Sequence, residues 1–127
     1  MAGIELSFIS SEGGRTVTRG PFPRIRLEGE LMRADTGGPV LAKHENHVWL
    51  LDGERYSRIE CDSRVTLHLE RIDGGRSKTY GPFESLSFID GIAYANHEVF
   101  AFADRSIVDW YCHADGTHWP LLVITAV

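Results

Sequence analysis

The chain is poor in cysteine, in basic side chains and in long apolar runs, and each shortage excludes a class of protein. Its two cysteines, Cys61 and Cys112, show no CxxC spacing. A disulfide framework and a cysteine-based zinc module are therefore excluded, and both thiols read as small hydrophobes in a reducing compartment. Lys and Arg number 13 against 18 Asp and Glu, a formal net charge of −5. That balance argues against a nucleic-acid partner, because phosphate binding draws on Lys and Arg displacing counterions, although a local basic patch is compatible with it. No apolar segment reaches the length of a membrane span, and Met1 to Glu5 carries no cationic leader. The expectation is a cytoplasmic protein with no membrane partner. Convincing helical stripes are missing too, as are the Gly-x-Ser-x-Gly elbow, the phosphate loop and the helix-borne His-Glu-x-x-His zinc motif.

What is present is an ordinary globular composition, 43% hydrophobic and 24% charged, in a length suited to a single domain, 1–127, that buries roughly two-thirds of its unfolded surface. Within it a pattern recurs. Gly13 to Phe22 (GGRTVTRGPF) returns as Gly74 to Phe83 (GGRSKTYGPF), seven identities in ten positions at an offset of 61. At the same offset Ile4, Leu6 and Phe8 match Val65, Leu67 and Leu69, Ile25 and Leu27 match Leu86 and Phe88, and Trp49 matches Trp110. Small gaps bring Gly29 to Gly91, Val40-Leu41-Ala42 to Val99-Phe100-Ala101, Asp52-Gly53 to Asp115-Gly116 and Tyr56 to Trp119. The chain thus reads as two copies of a unit of about 60 residues, 1–61 and 62–127.

Each copy reads as β-structure. Apolar residues alternate at period two in Ile4-Glu5-Leu6-Ser7-Phe8 and Val65-Thr66-Leu67-His68-Leu69, and Gly or Asp-Gly punctuates the chain at hairpin spacing. The segments 3–9, 15–19, 24–28, 30–34, 39–43, 47–51 and 56–60 are expected as strands. In the second copy they are 64–71, 76–80, 85–89, 92–95, 98–103, 106–112 and 118–126. Half a domain with open sheet edges is marginal alone. The fold class expected is therefore all-β, with two copies packed about a pseudo-twofold axis into one sandwich or barrel and a seam near Asp62-Ser63. The apolar stretch Leu121 to Val127 must then be a buried closing strand or an edge that pairs with a second chain in a homodimer.

Residues that match between the copies most simply serve the fold, so Trp49 and Trp110 are assigned to the core. Arg15 and Arg76, each after Gly-Gly, read as solvent-facing hairpin arginines. Unmatched polar residues are the better candidates for chemistry. One cluster is Lys43-His44-Glu45-Asn46-His47, read as a loop, whose His44 and His47 have the right atoms for metal or acid–base work. The other is Cys112 to Trp119, where a turn at Asp115-Gly116 sets His113 and His118 on flanking strands next to Tyr111. Alternation turns Cys112 and His113 to opposite faces, so no metal or other cofactor is assigned.

Residues 1–61 carry 8 basic and 9 acidic side chains and residues 62–127 carry 5 and 9. Glu98, Asp104, Asp109 and Asp115 then suggest an acidic face for a basic protein partner. The leading expectation is a non-enzymatic protein that binds another protein, in the manner of an immunity or inhibitor protein. The alternatives are a small-ligand or carbohydrate-binding module using Tyr80, Tyr94, Tyr111 and Trp119, and a metal-assisted hydrolase using His113, Asp115 and His118, joined by His44 or His47.

Overall fold

The computed structural model describes residues 3–10, 14–34, 38–45, 48–71, 77–89, 92–96, 100–105, 110–112 and 116–127, with 100–105 described by backbone alone. All regular structure in them is β. The first eight strands are β1 (Ile4–Ile9), β2 (Thr16–Phe22), β3 (Arg24–Glu28), β4 (Leu31–Ala34), β5 (Val40–Glu45), β6 (Val48–Leu51), β7 (Glu54–Tyr56) and β8 (Arg58–Cys61). The rest are β9 (Val65–Glu70), β10 (Ser77–Phe83), β11 (Leu86–Ile89), β12 (Ile92–Ala95), β13 (Phe100–Arg105), β14 (Trp110–Cys112), β15 (Thr117–Trp119) and β16 (Leu121–Ala126). Among the described residues no helix is long and apolar enough to cross a membrane.

The strands form two antiparallel sheets of eight. The first runs β15-β14-β13-β12-β11-β8-β1-β2 and the second β10-β9-β16-β3-β4-β5-β6-β7. Both orders are linear, so the sheets are open and the barrel alternative is set aside. Adding eight to each label of one sheet, and restarting after sixteen, returns the other sheet in reverse order.

Alternation explains which side chains meet between the sheets. Ile4, Leu6 and Phe8 on β1, Ile25 and Leu27 on β3, and Val65, Leu67 and Leu69 on β9 are all buried, while their sequence neighbours face outward. One cluster joins these residues across both sheets. Aromatic rings bridge it: Phe88 of the first sheet lies edge-on to Trp49 of the second, with centroids 5.8 Å apart, and to Trp110 at 5.9 Å. Phe8 meets Tyr56 across the sheets at 5.9 Å. Trp49 and Trp110 are each 1% exposed, as core positions require.

Several boundaries differ from the sequence expectation, each for a physical reason. The segment 56–60 is not one strand, because the chain leaves the second sheet after Tyr56 and enters the first at Arg58. Ser57 marks this crossing, its N–H and hydroxyl both donating to the Ile9 carbonyl at 3.0 and 3.3 Å. The segment 118–126 divides in the same way at Pro120, which offers no N–H to a ladder. Strands 15–19 and 76–80 were expected to stop at Gly-Pro-Phe. They instead run through it to Phe22 and Phe83, with cis Gly20-Pro21 and Gly81-Pro82 bonds and a register shift in each ladder. Pairing sets Val40 opposite Arg33 and Ala101 opposite Tyr94, so 40–42 stand in the register of 101–103, two residues beyond the sequence match. A slip of two keeps every side chain on its expected face, and for that reason alternation alone does not detect it.

The C-terminal strand is internal. β16 pairs with β9 on one edge and β3 on the other, and Leu121 to Ile124 are all buried. Pairing of two chains through this strand has no free backbone to use.

Candidate functional site

Of the six residues singled out for chemistry, His47, His113 and Asp115 lie outside the described residues, as do Arg76 and the acidic Glu98, Asp109 and the Asp104 side chain. The remaining three are placed by two different sheets.

Tyr111 and His118 come together. The β14–β15 hairpin sets them directly opposite each other, and their rings lie 5.0 Å apart. Their neighbours fix the face they occupy. Trp110, Cys112 and Trp119 are buried, so alternation sends Tyr111 and His118 to the outer face of the first sheet, half-buried and exposed respectively. Cys112 points into the core, away from any outward histidine. At the turn Gly116 takes φ 71 and its N–H donates to the Cys112 carbonyl at 2.9 Å. The Trp119 indole N–H donates to the Thr117 hydroxyl at 2.6 Å, tying the inner side of the hairpin.

His44 stands elsewhere. Residues 43–45 are not loop but the end of β5, and His44 opposes Trp49 with ring centroids 4.9 Å apart. It shares the face of buried Ala42, while Lys43 and Glu45 face outward and pair at 3.5 Å. The His44 ring is thus half-buried against the core of the second sheet and does not share a surface with Tyr111 and His118. Among the described residues no group of three or more His, Cys, Asp or Glu is placed to hold a metal ion.

The four rings considered for ligand platforms separate as well. Trp119 is buried and Tyr80 packs against the core from the edge strand β10. Tyr94 and Tyr111 are half-buried on the outer face of the first sheet, and among the described residues only the latter has a ring partner, His118.

The register places Tyr111 and His118 in a longer row. Ile9, Arg58, Ile89 and Ile92 oppose one another in turn across β1, β8, β11 and β12, and the ladder continues through Asp104 to Tyr111 and His118. Ile9, Ile89 and Ile92 are half-buried. Arg58 donates to Glu60 at 2.6 Å, so it carries little unpaired charge into this row. The matching row of the second sheet holds Glu70 and Glu28 where the first holds Ile9 and Ile89. Sequence reading missed this row because its members come from seven strands.

A second feature it missed lies where edge strands β2 and β7 approach. Arg15 pairs with Glu54 at 2.9 Å and Arg19 with Asp52 at 3.0 Å, joining the edge of one sheet to the edge of the other. Hydrogen bonding to the Tyr56 hydroxyl, together with the charge of Glu54, raises the Arg15 pKa. Ser10, Arg15, Gly53, Glu54 and Arg55 line an open polar depression of about 360 Å³ here. Its walls are ion-paired and lack the apolar lining usual for a small-molecule site.

No protein-family model, curated protein or solved structure matches the chain.

Proposed function

We propose that this chain works by binding another protein, and that the outer face of the first sheet around Tyr111 and His118 is the contact. The observation that carries this reading is the row Ile9, Arg58, Ile89, Ile92, Asp104, Tyr111, His118, in which three isoleucines and a tyrosine accompany two charged residues, where the matching row of the second sheet has four charged residues among three leucines. Isoleucines and a tyrosine on one sheet face, with few charges among them, have the composition of an interface centre, where aromatic rings add large contact area at low entropic cost. In its concrete form this is a non-enzymatic cytoplasmic protein of the immunity or inhibitor type. It would cover a basic protein partner, since most of the net negative charge falls in residues 62–127.

The architecture behind it we read as a tandem duplication of 1–61 and 62–127 about a pseudo-twofold axis. Each sheet takes five strands from one copy and three from the other. Equal pairs support this: Ile4 opposes Phe22 as Val65 opposes Phe83, Phe8 opposes Ile59 as Leu69 opposes Leu122, and Trp49 opposes Tyr56 as Trp110 opposes Trp119. A duplicated scaffold leaves one face free to diverge while the core is kept, consistent with Tyr111 and His118 standing where the other sheet has Leu50 and Arg55.

The test is affinity capture from the native cytosol with the wild-type chain and with Tyr111→Ala/Ile89→Glu. A single partner retained by the wild type, released by salt and lost by the variant is expected. Equal retention by both, or none by either, overturns the reading. If the variant instead loses binding to a sugar array and the wild type captures no protein, the carbohydrate alternative replaces it.

A further inference from the structure

The outer face of the second sheet holds a charge cluster opposite in sign to the chain as a whole. Arg24 and Arg26 alternate outward on β3 between buried Ile25 and Leu27, and the register sets Arg33 of β4 directly opposite Arg26. Side chains directly opposite on adjacent strands have Cβ atoms about 5 Å apart, and like charges there are destabilising. Among the described residues little offsets them. Glu28 reaches Arg26 only at 3.6 Å, Arg33 donates to the Gly38 carbonyl at 3.3 Å, and Arg24 has no ion-pair or hydrogen-bond partner among the described residues. The Nε of Arg26 is buried with no hydrogen-bond partner. Lys43, further along the sheet, is matched by Glu30 and Glu45 at 3.8 and 3.5 Å and adds no surplus.

We propose that Arg24, Arg26 and Arg33 bind a carboxylate-bearing extended segment of a partner protein, distinct from the Tyr111 face. Guanidinium groups present a planar fork that matches a carboxylate. Arg24 and Arg26 are two residues apart on a strand, roughly 7 Å, the same repeat as alternate side chains of an extended peptide. An acidic segment with Glu at alternate positions therefore meets both, and Arg33 grips the carboxylate at Arg26 from the neighbouring strand. Nucleic acid fits less well. The outward positions of β3, β4 and β16 are Arg24, Arg26, Glu28, Leu31, Arg33, Leu121, Val123 and Thr125, with Leu121 and Val123 buried, and offer no ring on which a base stacks; His68 on β9, opposite Val123, is hydrogen-bonded to Thr79 at 3.0 Å. A long polyanion also meets the net charge of −5 beyond the patch.

The probe is a fluorescein-labelled octapeptide of alternating Glu and Thr, titrated by anisotropy at low ionic strength beside an alternating Gln and Thr peptide and an oligothymidylate of equal length. Binding of the Glu peptide alone is expected, weakened roughly tenfold by Arg26→Gln and again by Arg33→Gln, and unchanged by Arg55→Gln on the distant β7. Both loss variants should keep or raise the melting temperature, because each removes a like-charge neighbour. If either fails to fold, the readout is the wild-type melting temperature, which the Glu peptide should raise and the Gln peptide should not. Equal binding of the Gln peptide, undiminished binding by the variants, or tighter oligothymidylate binding lost in the same variants overturns the proposal.

Discussion

Deleting residues 121–127 removes β16 from between β3 and β9. Leu121, Leu122, Val123 and Ile124 are 2%, 0%, 1% and 0% exposed. Full burial of a large aliphatic side chain stabilises by about 1.5–3 kcal/mol, so the four together contribute about 6–12 kcal/mol. That is an upper figure, since the unfolded chain already shields part of this surface. A domain of this size has a net stability of about 5–15 kcal/mol, and the deletion also leaves the facing edges of β3 and β9 unpaired inside a sheet. The truncated chain is therefore expected to lose its cooperative fold, seen as a collapsed far-UV dichroism signal and no urea transition. A gentler change, Leu122→Ala, should cost about 2–5 kcal/mol and lower the urea midpoint by roughly 1–3 M for an ordinary slope. A truncated chain that still melts cooperatively and differs only in mass, passing from dimer to monomer, would refute this reasoning and make β16 an edge strand.

Three further outcomes are expected. Phe88→Ala empties the position between Trp49 and Trp110 and should cost about 3–5 kcal/mol, while Phe88→Leu, which keeps most of the volume, should cost under half as much by chemical denaturation; equal costs would show that volume does not govern the site. Gly20→Ala should destabilise more than Gly81→Ala, because both have positive φ but an added Cβ meets the Ile4 carbonyl oxygen at 2.5 Å in the first and nothing closer than 3.2 Å in the second; melting temperatures order the pair. Burial raises the Cys61 thiol pKa, so its contribution is intact below the ordinary thiol range and declines as pH rises through the native value. Cys61→Val should accordingly lose less melting temperature between neutral and alkaline pH than the wild type, and an unchanged slope would contradict this.

The β-character of the chain was legible from local pattern. Alternation named Ile4, Leu6, Phe8, Val65, Leu67 and Leu69 as inward residues, and each is buried. It was less able to mark where a strand changes sheets, because Tyr56-Ser57-Arg58 and Trp119-Pro120-Leu121 keep an extended pattern through the crossing. The candidate site was legible only in part. The hairpin at residues 112–119 brought Tyr111 and His118 into view through local spacing, whereas Ile9, Ile89 and Ile92 are ordinary strand residues until the ladder lines them up. His44 was taken for a loop residue because Lys43-His44-Glu45 is polar, yet an edge-side strand with one solvated face accommodates such a run.

The poverty in cysteine and basic residues bounded this protein from the start, and the repeat at an offset of 61 organised what remained. Sequence alone determined the all-β class and the inward faces of β1 and β9, because a side-chain period of two is a local property, and the match at an offset of 61 pointed Trp49 and Trp110 to the core. Only the tertiary structure decided which strands are neighbours: that β16 lies inside a sheet, that Tyr111 shares a cross-strand row with Ile9, Ile89 and Ile92, and that Arg33 faces Arg26 despite a net charge of −5. Pairing and register depend on contacts between residues far apart in the chain, and alternation does not encode them.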